Sequence, residues 1–399
     1  SSNVRKTEVS TDAVVFNVAG VVAFAQASFE SRSGSNLLSI DSNGQLQDAL
    51  ISGSAMVREF FVAPNGKLYV VFESLTELTS GGVQCVLAEV AVDTGIPSCI
   101  DSDLTQIIWA NSGNAGNPPI QFDAQGGIYY AGFAGSSAVL RRYSNGSVVN
   151  LVNDNSYFRD FLVLDDGSVL LSGMTNSSNV NWLRRISPSG RLTNLAIGFV
   201  QQMSRFVDGN IYVGLTENIN NQTMPHLRRY LVDSDVFESK AWISRFGFSD
   251  SYFPLGSSVG GLCWMALSDS FCNHNGASLK SRPFNISGKT FAVAGNMGYG
   301  YSQLWQYYPS PEKANVTQVY NVTESLQVGQ KIVLAGLAEN GSNILSVYDT
   351  SAQQETVVMD SSNEIEIYSM SFSARTNSIL FSGLRFADNR FVVGTVNLG

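Results

Sequence analysis

Short apolar runs that end on glycine recur along this chain and set its rhythm. Six are clear: Ile128 to Gly132, Val169 to Gly173, Ile211 to Gly214, Phe291 to Gly295, Ile332 to Gly336 and Ile379 to Gly383. Their glycines follow one another at steps of 41, 41, 81, 41 and 47 residues. No window sustains an apolar period of 3.6, so the runs read as strands. Each of the first three is preceded by a turn (Ala124-Gln125-Gly126-Gly127, Asp165-Asp166-Gly167, Val207-Asp208-Gly209), and before the turn comes another apolar stretch with Phe122, Phe161 or Phe206. Turn residues between two apolar runs predict a hairpin.

After the glycine comes a polar loop and then a third strand that repeats almost literally: Leu140-Arg141-Arg142-Tyr143, Leu183-Arg184-Arg185-Ile186 and Leu227-Arg228-Arg229-Tyr230. A further turn, Ser144-Asn145-Gly146 or Pro188-Ser189-Gly190, leads to a fourth strand such as Arg191 to Leu195. Four antiparallel strands, repeated at this spacing, make the blade of a β-propeller. Weaker copies have their inner strands at Val21 to Ala27 and Leu68 to Phe72. The expectation is an all-β chain whose residues 1–399 form a single propeller domain of about eight four-stranded blades, with counts of seven and nine and a solenoid-like stack as rivals. The last unit stops after its third strand, Phe391 to Val396, and the segment Lys6 to Ser10 is expected to supply the missing outer strand. That pairing closes the ring and hides its edges. The 81-residue step leaves 246–276 in excess, and this interval, with Cys263, Trp264, Cys272 and His274, reads as a disulfide-pinned insertion.

Composition narrows the setting. Charged residues make up 14% of the chain, and 36 Gly, 23 Phe and 15 Tyr suit short strands joined by tight turns. A net charge of −9 without any basic run argues against nucleic acid and against anionic lipid. No apolar stretch reaches the roughly 20 residues that span a bilayer. Residues Ser1 to Ser10 are polar and read as neither signal peptide nor anchor, while Ser1-Ser2-Asn3 fits the residues that follow a lipidated cysteine. The four cysteines fall into two close pairs, Cys85 with Cys99 and Cys263 with Cys272. Two local disulfides are the simplest reading and imply an oxidising compartment outside the cytoplasm; four buried thiols are the alternative. Zinc is not expected, because neither pair has CxxC spacing and the chain has only two histidines, His226 and His274. Seven N-x-S/T sequons, at Asn145, Asn176, Asn221, Asn285, Asn315, Asn321 and Asn340, are close to chance for so Asn- and Ser-rich a chain.

The repeats resemble β-propellers in general, over nearly the whole chain. The Gly-His and Trp-Asp pairs of WD repeats are absent, as are the double glycine of kelch repeats and the Asp-box of sialidases. Ala91-Val92-Asp93-Thr94-Gly95 resembles one turn of a quinoprotein-type blade, as in the eight-bladed lipoproteins of outer-membrane protein assembly, which implies a place in a bacterial envelope.

Candidate chemistry is thin. The tandem arginines at equivalent places in three repeats could line an anion site. Adjacent strand residues point to opposite faces, however, and each face of a blade is covered, so pairing with carboxylates such as Asp160 or Glu59 is the better expectation. His226 and His274 sit in no recognisable catalytic constellation, and Asp165-Asp166-Gly167 lacks the downstream glutamate of a calcium loop. Tyr299, Tyr301, Trp305, Tyr307 and Tyr308 cluster beside Gly298 and Gly300. Among these, Tyr299 and Tyr301 are loop residues able to grip a sugar or a protein side chain; with Trp264 and His274 they form the candidate ligand-binding set. No catalytic residue, cofactor or metal is expected. Two functions follow. The first is an extracytoplasmic, non-enzymatic binding or assembly module for a protein or glycan partner in the envelope or outside the cell, including as a subunit of a surface assembly. The alternative is a hydrolase or lyase acting on a sugar or lactone in the central channel through Asp165, Asp166 or Asp208.

Overall fold

A computed structural model describes residues 4–9, 13–18, 21–27, 35–40, 46–51, 57–78, 83–91, 96–108, 117–197, 199–205, 210–219, 222–243, 252–258, 261–266, 277–279, 284–296, 302–308, 312–313, 318–360, 364–374 and 376–398. All regular structure among them is β-strand, arranged in nine antiparallel sheets that follow one another along the chain. Sheet 4 shows the plan: Ser156–Val163, Val169–Thr175, Asn181–Ile186 and Leu192–Ile197 pair in that order, each strand beside the one before it. Sheets 1, 2, 5 and 8 repeat it, with first strands Ala13–Val18, Val57–Val62, Phe199–Arg205 and Asn321–Val328.

Four sheets vary the plan. In sheet 3 the first strand is in two pieces, Leu104–Ile107 and Ile120–Phe122, both paired with Ile128–Ala134. Sheet 7 divides likewise into Ala277–Leu279 and Phe284–Ile286 against Lys289–Asn296. Sheet 6, Tyr252–Ser258 with Gly261–Ala266, has only two strands among the described residues and occupies the interval 246–276 expected to be an insertion. Sheet 9 takes Ile365–Ser373, Ser378–Arg385 and Arg390–Asn397 from the C-terminal end and its fourth strand, Val4–Val9, from the N-terminal end. The last pairing is in continuous register from Val4 opposite Val396 to Val9 opposite Phe391.

The glycine-ending runs are the second strands, one place further out than the inner position expected of them. Their unbroken hydrophobicity has a direct cause: both faces are covered. Tyr129 packs with Phe158 and Leu171 of sheet 4, while its neighbour Tyr130 packs with Tyr69 and Val86 of sheet 2. Leu170 turns to Val200 and Val213 of sheet 5, and Leu171 to sheet 3. The same exchange runs from Phe291 and Leu304 to Ile332, and from Val333 to Ile379 and Phe381. A fully buried strand has no solvent face to place polar residues on, so alternation disappears. First strands of neighbouring sheets pack on one another, Ser156–Val163 on Phe199–Arg205, Asn321–Val328 on Ile365–Ser373, and Ala13–Val18 on Ile365–Ser373.

Candidate functional site: the inner strands and the ends of the sheets

Most first strands carry an irregularity at one level. Pairing skips a residue between Val57 and Glu59, Phe158 and Asp160, Val200 and Gln202, Pro254 and Gly256, Val322 and Glu324, and Ile367 and Ser369. Such a bulge adds one residue, bends the strand and re-aims the side chains around it. The repeating glycine answers it across the ladder: Gly173 pairs with Phe158, Gly336 with Val322 and Gly383 with Ile367. A Cβ on Gly336 would collide with the carbonyl oxygen of Asn321, and one on Gly383 with that of Glu366. The 41-residue period in glycine is thus the imprint of a bulge that the sequence does not otherwise announce.

Immediately after the bulge stand Glu59, Asp160 and Glu324, at equivalent register in sheets 2, 4 and 8. Burial raises the carboxyl of Glu324, and it pushes that of Asp160 up to about 7. Asp160 retains some exposed surface, yet protein closely surrounds its carboxyl and three donors reach it: the Asn117 side-chain amide at 2.9 Å, the Phe161 N–H at 2.9 Å and the Met203 N–H. Desolvation outweighs all three. Asn117 also donates to the Met203 carbonyl at 2.9 Å, so it ties the end of the 108–119 excursion to sheets 4 and 5 together. Gln121 continues the lacing, donating to the Phe161 carbonyl and accepting from the Val163 N–H. Between these groups lies a small pocket lined by Asn117, Pro118, Pro119, Phe158, Arg159 and Asp160, with enclosed room for about one water molecule.

Five of the six tandem arginines, Arg141, Arg142, Arg184, Arg185 and Arg229, form ion pairs with carboxylates other than Asp160 and Glu59. Arg141 meets Asp101, in the connection that leads into its own sheet, at 2.6 Å, and Arg184 meets Asp154, the last residue of the fourth strand of sheet 3, at 3.1 Å. Arg142 and Arg185 face the other way and meet the aspartates of the first turn, Asp123 and Asp166. Arg185 also reaches Asp235 of sheet 5, and Arg229 meets Glu238. The turn acids that could have served catalysis are likewise engaged, since Asp165 pairs with Arg205 at 2.7 Å. Asp208 lies outside the described residues.

The two ends of the sheets differ. At one end, first and second strands are joined by tight turns such as Ala63-Pro64-Asn65-Gly66-Lys67 and Leu164-Asp165-Asp166-Gly167-Ser168, closed by backbone hydrogen bonds with glycine at positive φ. At the other end lie the connections 28–34, 244–251, 267–276 and 314–320. Of the candidate ligand-binding residues, Tyr299, Tyr301 and His274 lie outside the described residues; Trp264 lies in Gly261–Ala266, its backbone opposite Pro254 and its side chain not described. The strands that flank these connections are described, and Ala277 pairs with Asn296. The connection carrying His274 therefore ends beside the point where that carrying Tyr299 and Tyr301 begins. Cys85 and Cys99 form a disulfide between the third and fourth strands of sheet 2, Cα atoms 5.8 Å apart; the Cys263–Cys272 pairing falls outside what is described. Among the described residues no helix is long and apolar enough to cross a membrane, and no cluster of His, Cys, Asp or Glu is arranged to hold a metal.

Successive four-stranded sheets in chain order, packed through their first strands, with one terminal strand completing the sheet of the other terminus, decide the fold. The chain is a β-propeller. No protein-family model matches it, and no curated protein matches it in sequence. Among solved structures, it is similar to the Dos1 propeller at 12% identity and TM-score 0.49, covering 99% of this chain and 95% of that one. Puromycin hydrolase gives 14% identity and TM-score 0.46, and the chain spans 59% of its length while 95% of this chain is covered. The propeller domain of the Trilobed protease from Pyrococcus furiosus gives 8% identity and TM-score 0.45, over 88% of this chain and 99% of that domain. Likeness at this level does not assign this propeller an activity.

Proposed function

We propose that this propeller is an extracytoplasmic, non-enzymatic binding or assembly module for a protein or glycan partner. In this reading residues 1–399 form one domain of eight full blades, with 246–276 inserted after the fifth, and Val4–Val9 closes the ring on the last. The observation that carries the proposal is the inequality of the two ends. One is finished by short hydrogen-bonded turns such as 63–67, and the other bears the long connections, including 267–276 with His274, next to which the connection 297–301 with Tyr299 and Tyr301 begins; variable segments on a rigid scaffold can meet a partner there. Two further facts support it: the turn aspartates Asp165 and Asp166 are engaged by Arg205 and Arg185, and the Cys85–Cys99 bridge fits an oxidising compartment.

The test is binding of the purified chain to glycan arrays and to its co-purifying partner, with Tyr299→Ala and Tyr301→Ala compared. Loss of at least about tenfold in affinity, about 1.4 kcal/mol, without a change in thermal stability supports the assignment. Unchanged binding by both variants, or turnover of sugar or lactone substrates that Asp160→Asn abolishes, overturns it.

A further inference from the structure

We propose that Asp160 is a pH-sensitive pin that fastens residues 117–119 to the inner strands of sheets 4 and 5 and so governs access to the pocket beneath them. The proposal is independent of which partner the propeller binds. Its basis is the junction at the carboxyl, where donors from three separate stretches of chain converge: Asn117 from the excursion, Phe161 from the strand itself and the Met203 N–H from the next sheet. Asn117 completes the clasp through the Met203 carbonyl. Releasing 117–119 opens the pocket that Asn117, Pro118 and Pro119 help to line, and lets water reach Asp160.

Among the described residues few other charges stand near. Arg159 lines the same pocket on the same strand, and Arg205, two residues beyond Met203, is paired with Asp165. The second strand of sheet 4 offers Leu171 and Ser172, the latter donating its hydroxyl to the Asp160 carbonyl, and Gln121 is neutral. The excursion itself, Ile108 to Pro119, contains no titratable side chain. Asp160 is therefore the group through which pH acts here.

The direction follows from linkage. In the fastened state the carboxyl holds its proton up to about pH 7, whereas a hydrated aspartate releases it near the usual value of about 3.9. The fastened state binds the proton more tightly, so acid keeps the pin closed and rising pH favours release, by up to about tenfold per pH unit between about pH 4 and pH 7 and no further above that.

Hydrogen exchange read by mass spectrometry on peptides covering 117–122 and 199–205, corrected for the intrinsic pH dependence of exchange, measures the opening. The expected result is opening that grows with pH in the native chain and is flat in Asp160→Asn, which keeps the shape and cannot ionise. Asn117→Ala should open more at every pH and keep the slope, because the Met203 N–H still faces the carboxyl. A flat profile in the native chain overturns the proposal without need of any variant. So does an equal slope in Asp160→Asn, or protection that increases with pH.

Discussion

Asp101 is the residue whose removal should damage this propeller most out of proportion to its size. It lies in the connection from sheet 2 to sheet 3, 5% exposed, and its carboxylate receives Arg141 Nη1 at 2.6 and 2.7 Å and the Tyr130 hydroxyl at 2.8 Å. Arg141 is 6% exposed and spends its Nε on Asn150. Asp101→Ala leaves a guanidinium and a phenol buried without their acceptor, and breaking a buried pair from one side costs about 3–5 kcal/mol. The equivalent arginine of sheet 4, Arg184, and its partner Asp154 are 19% and 34% exposed, so Asp154→Asn should cost about 0–1 kcal/mol. Chemical denaturation of the two variants side by side makes one pair the control for the other. Adding Arg141→Met to Asp101→Ala should recover much of the loss, since the orphaned charge is then gone, and a double-mutant cycle should show strong coupling. The reasoning fails if Asp101→Ala costs less than about 1 kcal/mol, the value of a surface pair, or if the two substitutions simply add.

Other expectations follow from the same geometry. Gly336→Ala drives a methyl group into the Asn321 carbonyl and should destabilise by about 1–3 kcal/mol or more, whereas Gly146→Ala, with open space around its Cβ position, should lose only the turn preference of a residue at positive φ; thermal melts of both decide. Reduction of Cys85–Cys99, whose cysteines are 14 residues apart, should lower stability by about 3 kcal/mol on the chain-entropy estimate, read as a lower melting temperature in reductant. Deleting residues 1–9 uncovers the edge of Arg390–Asn397 and should increase aggregation on heating, measured by light scattering; unchanged behaviour counts against the role of that strand.

Much of the fold was legible because a buried four-stranded unit leaves repeating marks: the run before Gly173, the Leu-Arg-Arg strand and the turn at Asp166-Gly167. The N-terminal pairing was also legible, since a unit that stops at its third strand needs a fourth, though the strand proved to be Val4–Val9 rather than Lys6 to Ser10. The inner strands were not. Their bulges are backbone events with no fixed residue type, and they appear in the sequence only indirectly, through the glycine across the ladder. The partners of the arginines were misread for a related reason. Asp160 looked suitable by spacing, whereas the bulge turns it toward Asn117 and Met203, and Arg184 takes Asp154 instead. Asn117 was missed altogether, although Asn117-Pro118-Pro119 breaking an apolar strand between Ile107 and Ile120 was a signal that the chain leaves the sheet there.

The most direct test of the account is a density map of the protein purified from its native source. The account predicts a partner chain or glycan seated on the end that carries Tyr299, Tyr301 and His274, with no substrate in the channel. A small molecule or cation held between Asp160, Glu324 and the inner strands would contradict it.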